Sequence, residues 1–285
     1  MTKRPIYGSW PRLNDARRSL ALDAALLGVS ALPAPVRARL LWQKWRAAAA
    51  IVRHRPCAIR LGNRTFEVRS MSDLGTFQAT IVDVYTELVL TGVLADARFV
   101  VDVGANIGQW TSAVKMFAPD IEILSIEPDP DVFSRLQANV GTLEGVTCRC
   151  LAAGASSESA TLYRHELSLM STLHPGSVGY DQTNTVAVDV DTLDHLVDRP
   201  VDLLKIDVEG AEFDVLAGAV ATLSTTRFLV VELSLGRAAV GSALETLEHV
   251  RRCAPAARIV MLGRPMGGSA LPDCQDALIE LHPVP

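Results

Sequence analysis

The sequence predicts an α/β fold in which a mostly parallel, seven-stranded sheet carries helices on both faces, with a helical and β-hairpin extension ahead of it. Three observations lead there. Apolar runs opening at Phe99, Glu122 and Val201 have the length and continuity of strands buried on both sides. Each is broken by a glycine or proline, Gly104, Pro128 or Gly210, and gives way to a segment of helical periodicity. Strand-like and helix-like segments then alternate toward the end of the chain, as parallel strands joined by crossover helices do.

The first eleven residues, with Pro5 and Pro11, read as an irregular lead. Leu13, Ala16, Leu20, Ala24 and Leu27 form an apolar stripe at helical spacing over residues 12–30, which Pro33 and Pro35 interrupt. A second helix, residues 35–52, gathers Ala38, Leu41, Trp42, Trp45, Ala48 and Val52 on one arc, with Arg37 and Lys44 on one flank and Arg39, Arg46 and Arg53 on the other. Tryptophan between basic flanks is the pattern of an interfacial helix, whereas Leu40, Ala47 and Ile51 on the opposite face suit a helix wedged against protein. Residues 36–55 are therefore read as a contact for a membrane surface or a protein partner. Residues 57–70 alternate around Gly62-Asn63, a two-residue hairpin turn. Residues 73–94 read as a helix with Phe77, Ile81, Val84, Tyr85 and Leu88 on one side.

The strand from Phe99 leads into a helix over 109–118, a strand over 122–127, a helix over 130–140, a strand over 146–151 and a loop over 152–155. Strands over 160–164 and 184–190 flank a polar loop, residues 166–181, that carries Ser171, Thr172, His174 and Tyr180 and suits the covering of a substrate. A strand over 201–207, a helix over 211–223, a strand over 227–233, a helix over 242–253 and strands over 257–262 and 277–282 complete the chain. The expected division is an extension over 1–70 and one domain over 71–285.

With 285 residues, 49% of them hydrophobic, a disordered chain is excluded. The net charge of −5 is unevenly spread: residues 1–60 hold twelve Lys/Arg against Asp15 and Asp23, a net +10, and the remainder is −15. Such a split implies that the N-terminal part meets something negative, be it the acidic body, a membrane or a partner. Five cysteines without a C-x-x-C pair, no apolar run near the length of a membrane span and no signal-like start predict a cytoplasmic protein, peripheral at the inner membrane surface if the basic helix serves there. Nucleic acid is not an expected partner, because the body is acidic and aromatic residues are only 5%.

The stretch V-D-V-G-A-N-I-G over residues 101–108 is strand and Gly-rich turn, opening a helix. Gly104 and Gly108 let a ligand approach the backbone, Asn106 tolerates a left-handed conformation, and the N–H groups of the following helix face a polar or anionic group. A dinucleotide fingerprint placed on Gly104 requires glycine at 106 and 109, where Asn106 and Gln109 stand. Asp102 instead supplies an acid suited to the ammonium of an amino-acid tail. Glu127, 19 positions after Gly108, stands where a doubly wound unit places the acid that accepts ribose hydroxyls. A ribose with an amino-acid tail is S-adenosylmethionine.

The blocks V-D-V-G-A-N-I-G, E-P-D-P and K-I-D-V-E-G-A-E, in that order, closely resemble those of the FkbM-type methyltransferases over about residues 94–235. The resemblance implies a class I Rossmann-like methyltransferase fold whose final strand enters antiparallel, S-adenosyl-L-methionine as cofactor, and O-methylation of a hydroxyl on a sugar, glycolipid or polyketide-type small molecule. Asp102, Gly104, Asn106, Gly108, Glu127 and Asp207 are then the cofactor-binding set, with Ala153 in the loop beside the adenine.

Methyl transfer to a hydroxyl asks the protein to position the acceptor and take its proton. Asp207 and Glu209, at a strand end where acids are otherwise out of place, are the first candidates, and His174 in the covering loop competes, as does His165. Glu212 has a structural alternative in the first turn of a helix, and Lys205, inside an apolar strand, needs an acid as partner. Asp207 with Glu232 would give two ligands to a divalent cation, but no Asn completes the set and no metal is assigned. A nicotinamide-dependent oxidoreductase is the alternative that Asn106 and Gln109 oppose. A non-catalytic assembly partner with a vestigial site is the one that Asp102, Glu127 and Asp207 oppose. The sequence leaves open whether the chain forms a homo-oligomer.

Overall fold

The computed structural model describes residues 13–30, 32–55, 57–61, 64–84, 88, 91–164, 171–174, 184–234, 242–263 and 274–282. Its centre is β3 (Phe99–Val103), five residues that are all buried. To one side lie β4 (Glu122–Ile126) and β5 (Val146–Arg149), and to the other β9 (Val201–Ile206) and β10 (Thr226–Ser234), all parallel. Beyond β10, β12 (Cys274–Glu280) runs antiparallel and pairs also with β11 (Arg258–Leu262), so the seven-stranded order is β11-β12-β10-β9-β3-β4-β5. This is the mostly parallel Rossmann-like sheet that the sequence predicts, with the final strand reversed. The order turns back between β3 and β9, which opens a crevice at their carboxyl ends.

The period-two alternation of the strands divides the core between the faces. Val100 and Leu203 point into one cluster, shared with α3 (Met71–Asp83) and α4 (Gln109–Phe117), and Val101 and Leu204 into the other, shared with α7 (Glu212–Ala217), α8 (Val220–Thr225) and α9 (Ala243–Cys253). The first cluster continues into α1 (Leu13–Gly28), α2 (Ala34–Val52) and the hairpin of β1 (Cys57–Leu61) and β2 (Arg64–Val68). Leu61 pairs with Arg64, which leaves a two-residue turn at Gly62-Asn63, outside the described residues. The α5 helix (Pro130–Val140) starts on an Asp129 cap, and Asn139 near its end ties two parts together: its amide donates to Ile107 O and its carbonyl accepts from Glu67 N of the hairpin.

Four expectations need correction. The stripe of Leu20, Ala24 and Leu27 on α1 faces outward, with Leu20 59% and Leu27 54% exposed, while the inward face sets Leu26 in the core beside a polar anchor, Asp23, which meets Lys44 Nζ at 2.5 Å and Gln78 Nε2 at 2.7 Å. The helix expected over 73–94 is regular only to Asp83; its start is sharper than foreseen, since Ser70 and Asp73 form a reciprocal capping box. Tyr85 lies outside the described residues. The helix expected over 211–223 is broken into α7 and α8 at Gly218, where any Cβ would stand 2.0 Å from Gly154 O, so the chain closes backbone to backbone there. The loop over 152–155 begins instead as β6 (Ala152–Ala153), which joins β7 (Glu158–Tyr163) and β8 (Thr185–Asp191) in a small sheet of order β6-β8-β7. Among the described residues no helix is long and apolar enough to cross a membrane.

Candidate active site

The crevice is built first by the turn after β3. Gly104 N and Ala105 N both donate to Ile126 O, and Asp207 N donates to Val103 O, so the ends of β3, β4 and β9 are laced together. Gly104 has φ +76°, and a Cβ there would stand 1.9 Å from Asp207 O. Only glycine fits the junction of the two central strands. Asn106 follows at φ +49° with its side chain accepting from Ile107 N, and Gly108 at φ +91° begins α4, packed so closely on Val140 that a Cβ would lie 2.9 Å from it.

Glu127 closes the second side. Its Oε2 accepts from Asn106 N and its Oε1 from Asp129 N, both at 3.0 Å, which leaves each oxygen with acceptor capacity to spare. The side chain is only 7% exposed. Burial pushes its carboxyl up to about 7, against the lowering effect of the two backbone donors. The E-P-D-P turn is itself clamped: Arg164, just past β7, grips Asp129 with two bonds of 2.7 Å and reaches Asp131 at 3.0 Å. The small sheet is thereby tied to the turn that carries Glu127.

Asp102 does not face the crevice as an open acceptor for an ammonium group. It is fully buried, in register with Lys205 on β9 and Ser125 on β4, and Thr111 of α4 donates to its Oδ2 at 2.8 Å. The ammonium it meets belongs to the chain: Lys205 Nζ lies 3.2 Å from Asp102, 3.4 Å from Asp207 and 3.1 Å from Gly104 O. Burial alone would push the Lys205 ammonium down, but Asp102 and Asp207 outweigh it and raise it. Of these two acids Asp207 is the accessible one, its side chain 45% exposed beside Gly104. Further along the same sheet edge, burial together with Asp207 and Asp83 pushes Asp276 up to about 6. Glu232 is buried on the same face of the neighbouring strand. Among the described residues no three His, Cys, Asp or Glu converge as metal ligands.

The loop from Asp207 into α7 is shaped by Glu212, whose carboxylate accepts from Val208 N and Gly210 N and is 3% exposed. Glu212 thus works on the loop rather than at its surface. Glu209, held at φ +55°, is the partly exposed residue of that loop; the left-handed conformation costs a non-glycine residue about 1 kcal/mol or more. One turn on, Asp214 Oδ2 accepts from His174 Nε2 at 2.7 Å. Thr172, paired through its backbone with Tyr163 of β7, holds His174 N with its hydroxyl and so seats the histidine over α7. His165 and Tyr180 lie outside the described residues. The side chain of Ala153 is buried in the cluster with Leu193 and its backbone pairs with Asp191.

The structure therefore brings Gly104, Asn106, Gly108, Glu127 and Asp207 around one crevice and places His174 beside the helix that leaves it. Arg164, Asp214 and Thr111 were missed by sequence reasoning. None of the three carried a local signal, since Thr111 sits among other buried polar residues of α4, Gln109, Ser112 and Lys115.

A family model of the methyltransferase FkbM domain matches residues 102–254. Among curated proteins, a protein called Methyltransferase 1 from Beauveria bassiana is 36% identical over 146 residues, 43% of this chain and 59% of its own length. The hexuronic acid methyltransferase AglP of Haloferax volcanii is 30% identical over 146 residues, 47% of this chain and 55% of its own. The 2-O-methyltransferase NoeI of Sinorhizobium fredii is 26% identical over 156 residues, 47% and 63%. The chain thus spans about three fifths of the length of the curated relatives it matches.

Proposed function

From the premise that this chain belongs to the FkbM methyltransferase family, we propose that it is an S-adenosylmethionine-dependent O-methyltransferase acting on a hydroxyl of a saccharide-type small molecule. The observation that carries the reading is the pairing of a backbone-lined turn at Gly104–Gly108 with a buried carboxylate, Glu127, whose oxygens keep free lone pairs. A nucleoside fits that pair: Glu127 accepts the two ribose hydroxyls, the turn admits the chain beyond the ribose, and Asp207 takes the ammonium end. Asp102 acts at one remove, by fixing Lys205 against Gly104 and Asp207. The bound cofactor supplies the electrophilic methyl group.

What the chain adds is orientation and a proton acceptor. With Nε2 donating to Asp214, His174 presents Nδ1 as the basic nitrogen, in the manner of a histidine oriented by a carboxylate, and we assign it as the general base. Glu209 then borders the acceptor as a hydrogen-bonding group. The relatives named for hexuronic acid and 2-O-methylation support a sugar hydroxyl as acceptor. In the His174→Ala variant, kcat is expected to fall by about a hundredfold or more, with cofactor affinity unchanged. A kcat within a few-fold of the parent would remove His174 from this role.

Calorimetry tests the cofactor. S-adenosylhomocysteine is expected to bind and NADH not to. Because a ribose donates to the ionised form of Glu127, whose carboxyl is raised to about 7 in the free protein, affinity should rise with pH through about 7 and weaken roughly tenfold per unit below it. The same shift means that the folded apo form holds a proton the unfolded chain has lost, so apo stability falls as pH rises from about 4.5 to about 7 while the stabilisation by ligand grows. Glu127→Gln should flatten the pH dependence of affinity. A tight complex with NADH and none with S-adenosylhomocysteine would overturn the reading, and a screen of hydroxylated sugars with methyl-labelled cofactor identifies the acceptor.

A further inference from the structure

The helical pair at the N-terminus is apolar on both of its sides. Its inward side buries Leu26, Leu40, Ala47 and Ala48 around a polar anchor, Asp23 against Lys44 with Gln78, while its outward side carries large apolar residues of its own. Among the described residues twelve large hydrophobic side chains are exposed, and five of them, Leu20, Leu27, Trp42, Trp45 and Val52, fall on these two helices. Trp42 is 64% and Trp45 52% exposed, one turn apart, with Arg46 over the first ring at 5.4 Å and Lys44 over the second at 5.0 Å. From residue 34 to residue 60 the chain has seven Lys/Arg and no Asp or Glu, against a body of opposite charge. Arg39 and Arg60 make no ion pair among the described residues.

We propose that the outward side of α1 and α2 docks in the plane of an anionic lipid bilayer. Exposed indoles on a helix studded with arginine match the headgroup boundary, where the ring finds apolar contact and its N–H finds water and phosphate. The six arginines of the segment, beyond the Lys44 that Asp23 balances, match anionic headgroups, and neither helix is long and apolar enough to cross. A second copy of the same face is disfavoured as occupant, since it would bring two segments of seven positive charges together.

The test is co-sedimentation of the full chain with phosphatidylglycerol-rich vesicles and with pure phosphatidylcholine vesicles. The protein is expected to sediment with the first and not the second. Partitioning should fall about tenfold when Trp42→Ser and Trp45→Ser are combined. It should fall by about fivefold for each of Arg39→Gln, Arg46→Gln and Arg53→Gln. These side chains are solvent-facing, so unchanged melting and unchanged S-adenosylhomocysteine binding certify the fold of every variant. Sedimentation that is equal for parent and variants overturns the proposal. So does a parent that ignores both vesicles and dimerises in analytical ultracentrifugation through the same two tryptophans, which would make the face an interface between copies.

Discussion

Replacing Gly104 by alanine is expected to abolish cofactor binding while leaving a folded protein. The backbone at this position has φ +76°, and the added carbon would stand 1.9 Å from the carbonyl of Asp207. A left-handed alanine costs about 1–2 kcal/mol and overpacking a closed junction about as much again, so the turn moves off β9 and affinity for S-adenosylhomocysteine drops by about a hundredfold. The displacement also pulls Gly104 O away from Lys205 and its N–H away from Ile126. Calorimetry and thermal denaturation on the same sample separate the two readouts. Binding within a few-fold of the parent would mean that the strand ends are not what forms the nucleoside pocket.

Lys205→Met should be the most destabilising single change in the sheet. It removes the only ammonium from the row formed with Asp102, leaving that carboxylate fully buried with Thr111 as its remaining hydrogen-bond donor. Breaking one side of a buried pair costs about 3–5 kcal/mol, which for a chain of this size lowers the melting temperature by roughly ten degrees. Combining it with Asp102→Leu should recover most of the loss, because the stranded charge then disappears with its partner. Denaturant unfolding of the two single variants and the double checks the sign of the coupling. A Lys205→Met protein as stable as the parent would show that the row carries no net electrostatic weight.

The parallel sheet was legible because strands buried on both faces are held to apolar composition, and Phe99–Val103 and Val201–Ile206 announce themselves as runs that are apolar but for Asp102, Asp202 and Lys205. The turn was legible for the same kind of reason: Gly104 and Gly108 stand where no side chain fits. What sequence could not supply were pairings between distant positions. Asp102 looks like a free acid until its neighbour across the β3–β9 register turns out to be Lys205, and nothing near Asp129 in the chain announces that this helix cap is also gripped by Arg164 from beyond β7. Periodicity also misled where the interior is polar. On α1 the apolar stripe at helical spacing lies outward, and Asp23 faces inward beside Leu26, since an acid with Lys44 and Gln78 for partners is as well placed in a core as a leucine.

Asn139 joins Glu67 to Ile107 by way of a main-chain amide on the hairpin side, not a side chain. The side chain at position 67 can therefore change without loosening that strut, whereas trimming the chain to residues 102–254 would remove its hairpin end and leave only the bond to Ile107. Grafts that exchange the leading portion between family members should accordingly preserve the hairpin's path and may ignore its letters.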